Sequence, residues 1–138
     1  MNLFNLSPRL LASALAAFAL TGCVISAGPG PDPPYSGTLT VFSSIDGTTH
    51  PSECDYADAS DLELAVYEGS RHYTTVIAPC YDFQVSVTLP EGDYNADVTL
   101  LDRYAYAVST TLTLDNLFVV AGTDLQVDVD FPLSSILP

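Results

Sequence analysis

Polar and apolar residues alternate in several short segments between Gly37 and Phe131, and this period of two constrains the fold more than any other feature of the chain. Successive side chains of a β-strand point to opposite faces, so such a segment buries one face and exposes the other. The segments with this pattern are residues 37–44, 62–68, 73–78, 81–89, 94–101, part of 105–114, 117–120 and 125–131. We therefore expect seven or eight short strands.

The pattern is clearest on the two sides of the sequence PEGD, residues 90–93. Tyr81 and every second residue up to Leu89 share one face, and Tyr94 and every second residue up to Leu100 share a face of the following segment. Proline and glycine suit turn positions, so we predict a hairpin that begins at Tyr81.

The residues between the predicted strands favour an all-β fold. Residues 45–61 contain Gly47, Pro51 and many Ser, Thr and Asp residues, which predicts a long loop, and Gly122 marks a turn before the last strand. No segment after residue 23 carries the apolar stripe of a helix. We predict a single antiparallel β-sandwich of about seven strands over residues 36–138.

The segment LPEGDYNADVTLLD, residues 89–102, resembles a strand-turn-strand segment of immunoglobulin-like, fibronectin III-like and prealbumin-like domains. In those domains a Gly-x-Tyr, here Gly92-Asp93-Tyr94, opens a strand. The resemblance implies a sandwich that serves as a spacer, an adhesion module or a binding module. It implies little about activity, because one fold serves many functions.

A targeting signal precedes the strands. Arg9 is followed by an apolar run from Leu10 to Leu20, which is shorter than the roughly 20 residues of a membrane-spanning helix and matches a secretory signal. Leu20-Thr21-Gly22-Cys23 resembles the lipobox of bacterial lipoproteins. The resemblance implies that residues 1–22 are removed and that Cys23 is acylated. A secretory signal cut elsewhere, or an uncleaved apolar anchor, would leave Cys23 as a spare thiol.

Residues 23–35 connect the lipobox cysteine to the first predicted strand. Four prolines and two glycines follow Cys23 in VISAGPGPDPPY, a composition that favours an extended, flexible tether with a reach of about 35 Å. In the lipoprotein family an Asp after the cysteine is associated with retention at the inner membrane. Val24 stands there, so we expect an outer-membrane location in the bacterial envelope.

The charge of the chain restricts its partners. After residue 22, Arg71 and Arg103 are the two strong bases against all 17 acidic residues, which gives a side-chain charge of −15. Such a charge repels the phosphates of nucleic acids, so we expect no nucleic-acid partner. Anionic lipid headgroups are repelled as well. Membrane attachment is therefore expected through the acyl anchor on Cys23 and not through the surface of the domain.

Two cysteines remain once Cys23 is assigned to lipid. Thiols oxidise outside the cytoplasm, so we predict a disulfide between Cys54 and Cys80 that pins the acidic loop to the start of a strand. The alternative is a metal site that combines these thiols with His50 or His72. It is the poorer interpretation, because the spacing matches no common zinc pattern.

The loop CDYADASDLE is a candidate for calcium binding. Asp55, Asp58 and Asp61 are three residues apart, and Glu53 and Glu63 flank them. Calcium takes six or more oxygen ligands, so this loop, residues 53–63, is compatible with a Ca²⁺ site, although the spacing is not that of an EF-hand. A solvated acidic loop is the preferred interpretation. We expect a second set of acidic residues, Asp124, Asp128 and Asp130, on the exposed face of the last strand.

Tyr104 and Tyr106 stand beside Arg103 in DRYAYA. Two tyrosines on one face can stack on a sugar or a peptide, but half-burial on a sheet is the commoner arrangement and is our expectation.

No motif in the sequence predicts catalysis. There is no G-x-S-x-G, no phosphate-binding glycine loop and no recognisable partner pattern for either histidine. We expect a non-enzymatic, lipid-anchored envelope protein that acts as an interaction or structural module with a protein partner. The alternative is a calcium-binding or small-ligand-binding module that uses residues 53–63.

Overall fold

Seven β-strands and one short α-helix follow one another in the computed structural model, which describes residues 35–138 of the chain. The strands are β1 (Ser36–Ile45), β2 (Asp61–Glu68), β3 (Arg71–Pro79), β4 (Gln84–Pro90), β5 (Gly92–Leu101), β6 (Leu112–Val119) and β7 (Asp124–Phe131). The helix α1 is Ser52–Tyr56, and two 3₁₀ helices cover Cys80–Asp82 and Leu133–Ser135. The predicted loop 45–61 therefore contains a helix of five residues.

The strands form two sheets that pack on each other as a β-sandwich. One sheet has three strands in the order β4-β1-β7, and the other has four in the order β3-β2-β5-β6. Paired strands run antiparallel, except that β1 and β7 run parallel from Thr38 beside Asp124 to Ile45 beside Phe131. The predicted all-β sandwich of about seven strands is confirmed.

The order of the strands differs from that of an immunoglobulin constant domain. There the first, second, fourth and fifth strands share a sheet, whereas here the first, fourth and seventh do. The resemblance carried by residues 89–102 therefore extends to the sandwich architecture and not to this particular order.

The core lies between the sheets because the inward positions of the alternating segments carry the large apolar side chains. Burial of one such side chain contributes about 1.5–3 kcal/mol. The largest that are fully buried are Phe131, Leu39, Ile45, Leu62, Leu64, Leu89, Leu100, Val41, Val66, Val85, Val98 and Val119. These side chains come from all the strands except β3, an edge strand whose residues are exposed or half-buried.

The predicted hairpin is wrong, although strands form on both sides of its turn. β4 pairs with β1 in one sheet, whereas β5 pairs with β2 and β6 in the other. The chain crosses between the sheets at Glu91, between the end of β4 and the start of β5. Alternation shows which face of a strand is buried but not which strand lies beside it. Strands that are neighbours in sequence often pair, as β2 and β3 do, but β4 and β5 do not.

The region before β7 holds one strand where we predicted two. β6 runs through Asp115 and Asn116, and its register with β5 shifts between Tyr94 and Ala96. Asn116 takes a φ of 58°, a left-handed conformation that Asn tolerates better than most residues. A β-bulge at this point thus lets the two predicted segments continue as one strand. Residues 105–111 lie before the strand and form isolated bridges at Ala107 and Ser109.

The two ends of the sandwich differ. Ser36, at the start of β1, lies beside Pro90, and the turns after β2, β4 and β6 are at the same end. At the opposite end Asp61 lies between Pro79 and Leu101. We call the end that carries Tyr35 the N-terminal end. We call the opposite end, with α1, the 3₁₀ helix 80–82 and the segment 102–111, the loop end.

Candidate functional site

The disulfide between Cys54 and Cys80 holds the loop end together. It joins α1 to the 3₁₀ helix 80–82, and both cysteines are buried at the edge of the core. The predicted pairing is confirmed. Because both sulfur atoms are used in the disulfide, the alternative thiolate metal site does not form.

Local sequence explains the shape of α1. Pro51 precedes the helix with helical backbone angles, and Glu53 and Asp55 lie in its first turn, where carboxylates favour the positive end of the helix dipole. The helix ends at Tyr56, and Asp58, two residues later, takes a φ of 53° that reverses the chain, so that the amide of Ala59 donates to the carbonyl of Cys54 at 2.8 Å. Asp55 and Asp58 are left exposed on the outside.

A shallow cavity of about 230 Å³ opens at the loop end. Cys54, Asp55, Asp58, Ala59, Ser60, Tyr81 and Arg103 line it. The hydroxyl of Tyr81 donates a hydrogen bond to the carboxylate of Asp55. This hydrogen bond raises the pKa of Tyr81 above its ordinary value, and the negative charge of Asp55 raises it further. The cavity therefore combines carboxylates, a phenol and a guanidinium on three different segments of the chain.

Tyr81 is not on a strand face, as the sequence predicted, but in the 3₁₀ helix 80–82. Its side chain is exposed because Phe83 takes a left-handed φ of 49° and turns the chain before β4 begins. The amide of Ser43 donates to the carbonyl of Phe83 at 2.9 Å. The alternation through Tyr81 gave no sign of this turn, since the residue fits the apolar pattern.

The segment after β5 is a turn closed by hydrogen bonds of Asp102. The carboxylate of Asp102 accepts the backbone N–H groups of Tyr104 and Tyr106 at 2.8 and 2.9 Å. The amide of Asp102 in turn donates to the carbonyl of Tyr106 at 2.8 Å, and Ala105 takes a φ of 65°. These hydrogen bonds hold both tyrosines on the surface without burying them.

Four tyrosine side chains are exposed at the loop end: Tyr56 at 73%, Tyr81 at 50%, Tyr104 at 67% and Tyr106 at 72%. The expectation that Tyr104 and Tyr106 are half-buried is therefore wrong, because they lie on a turn and not on a sheet. The guanidinium of Arg103 lies 4.9 Å from the ring centre of Tyr104, which is a cation–π contact. Tyr56 and Tyr81 carried no signal in the sequence that separated them from core tyrosines.

The acidic loop does not gather its carboxylates. Asp55 accepts a hydrogen bond from Tyr81, and Asp58 lies at the left-handed turn. Asp61 is the first residue of β2 and lies outside the cavity lining. In residues 35–138 no three His, Cys, Asp or Glu side chains are arranged to hold a metal ion. Calcium binding by residues 53–63 stays a prediction of the sequence, for which a rise of the melting temperature on calcium titration is the test.

Other polar residues of interest have structural partners. His50 bonds through Nδ1 to the hydroxyl of Ser52 at 2.7 Å, and His72 bonds through Nε2 to that of Thr75 at 2.8 Å. The acidic residues predicted for the exposed face of the last strand lie on the exposed face of β7, namely Asp124, Asp128 and Asp130.

A second cavity, of about 390 Å³, opens at the N-terminal end. Gly69, Asp93, Tyr94, Asn95 and Asn116 line it.

The lipobox residues Leu20 to Cys23 and the tether up to Pro34 lie outside the described residues. None of the helices in the part that the structure describes is long and apolar enough to cross a membrane.

No protein-family model matches the chain. No curated protein is significantly similar to it. Among solved structures, it is similar to a leucine-rich repeat protein from Bacteroides thetaiotaomicron, with 15% identity and a TM-score of 0.46 over 70% of this chain and 12% of that one. It is also similar to a type II cohesin–X-dockerin complex from Acetivibrio cellulolyticus, with 14% identity and a TM-score of 0.45 over 73% of this chain and 55% of that one.

Proposed function

We propose that this protein is a lipid-anchored, non-enzymatic interaction module of the bacterial cell envelope that binds a protein partner with its loop end. The observation that carries the proposal is the position of the four exposed tyrosines, at the end of the sandwich opposite to the start of β1. Any anchor on Cys23 joins the domain through Tyr35 and so holds it by the N-terminal end. The loop end is then free to meet a partner.

The chemistry of the loop end suits recognition. Tyrosine is enriched at protein interfaces because its rigid ring covers a large area at a low cost in conformational entropy, and its hydroxyl forms hydrogen bonds. Here Tyr104 and Tyr106 are held by the carboxylate of Asp102, and Tyr81 is held by Asp55. A surface that is ordered before binding loses less entropy on association.

Anchoring is tested by Cys23→Ser. We expect the variant to leave the membrane fraction or to accumulate unprocessed, because serine cannot take the thioether-linked lipid. Ser26→Ala, three residues later, is the matched control and should fractionate like the natural chain. A Cys23→Ser variant that is processed and anchored as before would refute the lipoprotein assignment.

Recognition by the loop end is tested with a photo-reactive amino acid in place of Tyr106 or of Tyr35. These side chains are equally exposed, at 72% and 73%, but lie at opposite ends of the sandwich. Irradiation of intact cells should give a defined covalent adduct from position 106, and the adduct should weaken when Tyr104 is also changed to Ala. Equal adducts from both positions, or none from position 106, would contradict the proposal.

A further inference from the structure

Carboxylates and exposed tyrosines are interleaved at the loop end. Tyr56 stands between Asp55 and Asp58 in the sequence, and Tyr81 donates a hydrogen bond to Asp55. The turn that carries Tyr104 is closed by hydrogen bonds to Asp102. Side chains of this mixture bind a cation in two ways: the carboxylates by charge-assisted hydrogen bonds and the rings by cation–π contacts.

Arg103 makes a cation–π contact with the next residue, Tyr104, at the loop end. Its guanidinium lies over Tyr104 at 4.9 Å, and within residues 35–138 it forms no ion pair, although 17 carboxylates are present in the chain. The other arginine of the domain, Arg71, pairs with Glu68 at the N-terminal end. The loop end thus has few cations of its own to neutralise its acidic side chains.

We infer that the partner presents a patch of lysine or arginine side chains, which bind among the tyrosines and carboxylates of the loop end. The inference rests on the proposed function and adds the chemistry of the partner. Charge complementarity supports it, because the domain, residues 36–138, has 16 acidic side chains against two arginines. Its side-chain charge of −14 attracts basic surfaces over a distance and repels acidic ones. A neutral glycan would also stack on the rings, but its binding would not depend on salt.

The test uses the full-length chain, purified in a neutral detergent, and a fluorescent octalysine peptide as the probe, with octaglutamate as the negative control. Fluorescence anisotropy at low and at high NaCl gives the dissociation constant. We expect binding of octalysine that weakens with salt, and no binding of octaglutamate.

Two pairs of variants separate the loop end from the overall charge. Tyr104→Ala combined with Tyr106→Ala leaves the charge unchanged and should weaken octalysine binding about 5- to 30-fold, whereas Tyr35→Ala should leave it unchanged. Asp58→Asn keeps the left-handed turn, which Asn tolerates, and should weaken binding more than Asp93→Asn, which removes the same charge at the N-terminal end. Circular dichroism verifies that each variant is folded.

Attraction by overall charge alone would give equal effects for both aspartate variants and no effect of the tyrosine changes, and either result would overturn the inference. The proposed function would still stand if position 106 gives its adduct in cells. Salt-independent binding of the adduct partner by the purified chain would indicate a neutral ligand and would also overturn the inference. If position 106 gives no adduct in intact cells, in contrast, the proposed function itself is contradicted.

Discussion

Tyr94 stabilises the point at which the chain crosses from one sheet to the other. It is buried at 4% exposure, and its hydroxyl donates to the carbonyl of Pro90 at 2.9 Å, across the point where the chain leaves one sheet for the other. Such a tyrosine corner occurs in other β-sandwiches. We expect Tyr94→Phe to lower the free energy of unfolding by about 1 kcal/mol in urea titrations at neutral pH. Tyr73→Phe is the control, since that hydroxyl has no hydrogen bond within residues 35–138. An equal loss of stability in both variants would contradict a specific role of the hydrogen bond between Tyr94 and Pro90.

The same residue affects stability at high pH. Burial raises the pKa of Tyr94 above its ordinary value, and the neighbouring Tyr73 and Glu68 raise it further. The neutral phenol is therefore favoured in the folded state. Its contribution to stability is complete below the unfolded-state pKa, about 10, and is lost as the pH rises through the folded-state pKa. Tyr94→Phe should make the alkaline loss of stability less steep, and an unchanged slope would show that other groups cause it.

Packing between elements explains the glycine near the start of β1. A Cβ on Gly37 would lie 2.3 Å from the carbonyl oxygen of Val120, so β1 and the β6–β7 turn approach too closely for any side chain. We expect Gly37→Ala to cost about 1–3 kcal/mol in the free energy of unfolding, because backbone has to move. Gly92→Ala is the matched control, since its Cβ would have no neighbour closer than 3.6 Å. Similar losses of stability in both variants would contradict a specific role of the close approach at Gly37.

The disulfide links two elements that no strand pairing joins. It closes a chain separation of 26 residues between α1 and the 3₁₀ helix 80–82, for which the chain-entropy model gives about 3.5 kcal/mol. Cys54→Ser combined with Cys80→Ser should lower the denaturation midpoint accordingly, and reductant should lower the natural chain to the same value. Reductant should not change the double variant. A natural chain that is insensitive to reductant while fully reduced would contradict this contribution.

Across the whole molecule, the acidic charge opposes compaction. The chain has a net charge of −14, and residues 35–138 hold one ion pair, between Arg71 and Glu68. Salt screens repulsion among exposed carboxylates, so we expect NaCl to raise the melting temperature by about 4–8 °C if screening contributes 1 kcal/mol. Asp93→Asn combined with Asp115→Asn should reduce that rise. A melting temperature that is independent of salt would show that the charges are too far apart to matter.

The alternation of apolar and polar side chains is enough to predict the all-β class, because segments that bury one face must pair as strands and pack that face against another layer. Most of the strand segments, the pairing of Cys54 with Cys80 and the exposed carboxylates of β7 followed from local pattern or simple chemistry, whereas the two segments predicted before β7 are one strand. These features depend on residues that are close in sequence or few in number.

Local pattern did not predict which strands are neighbours or which side chains lie together at each end of the sandwich. The turn at Glu91 could join two strands of one sheet or cross between sheets, since the same residues suit both. The loop end brings together Asp55, Tyr81 and Arg103 from three separate connections. Local alternation reports burial for one strand at a time. The neighbours of a strand depend on the packing of the entire core, and so does the position of the four exposed tyrosines at one end of the sandwich.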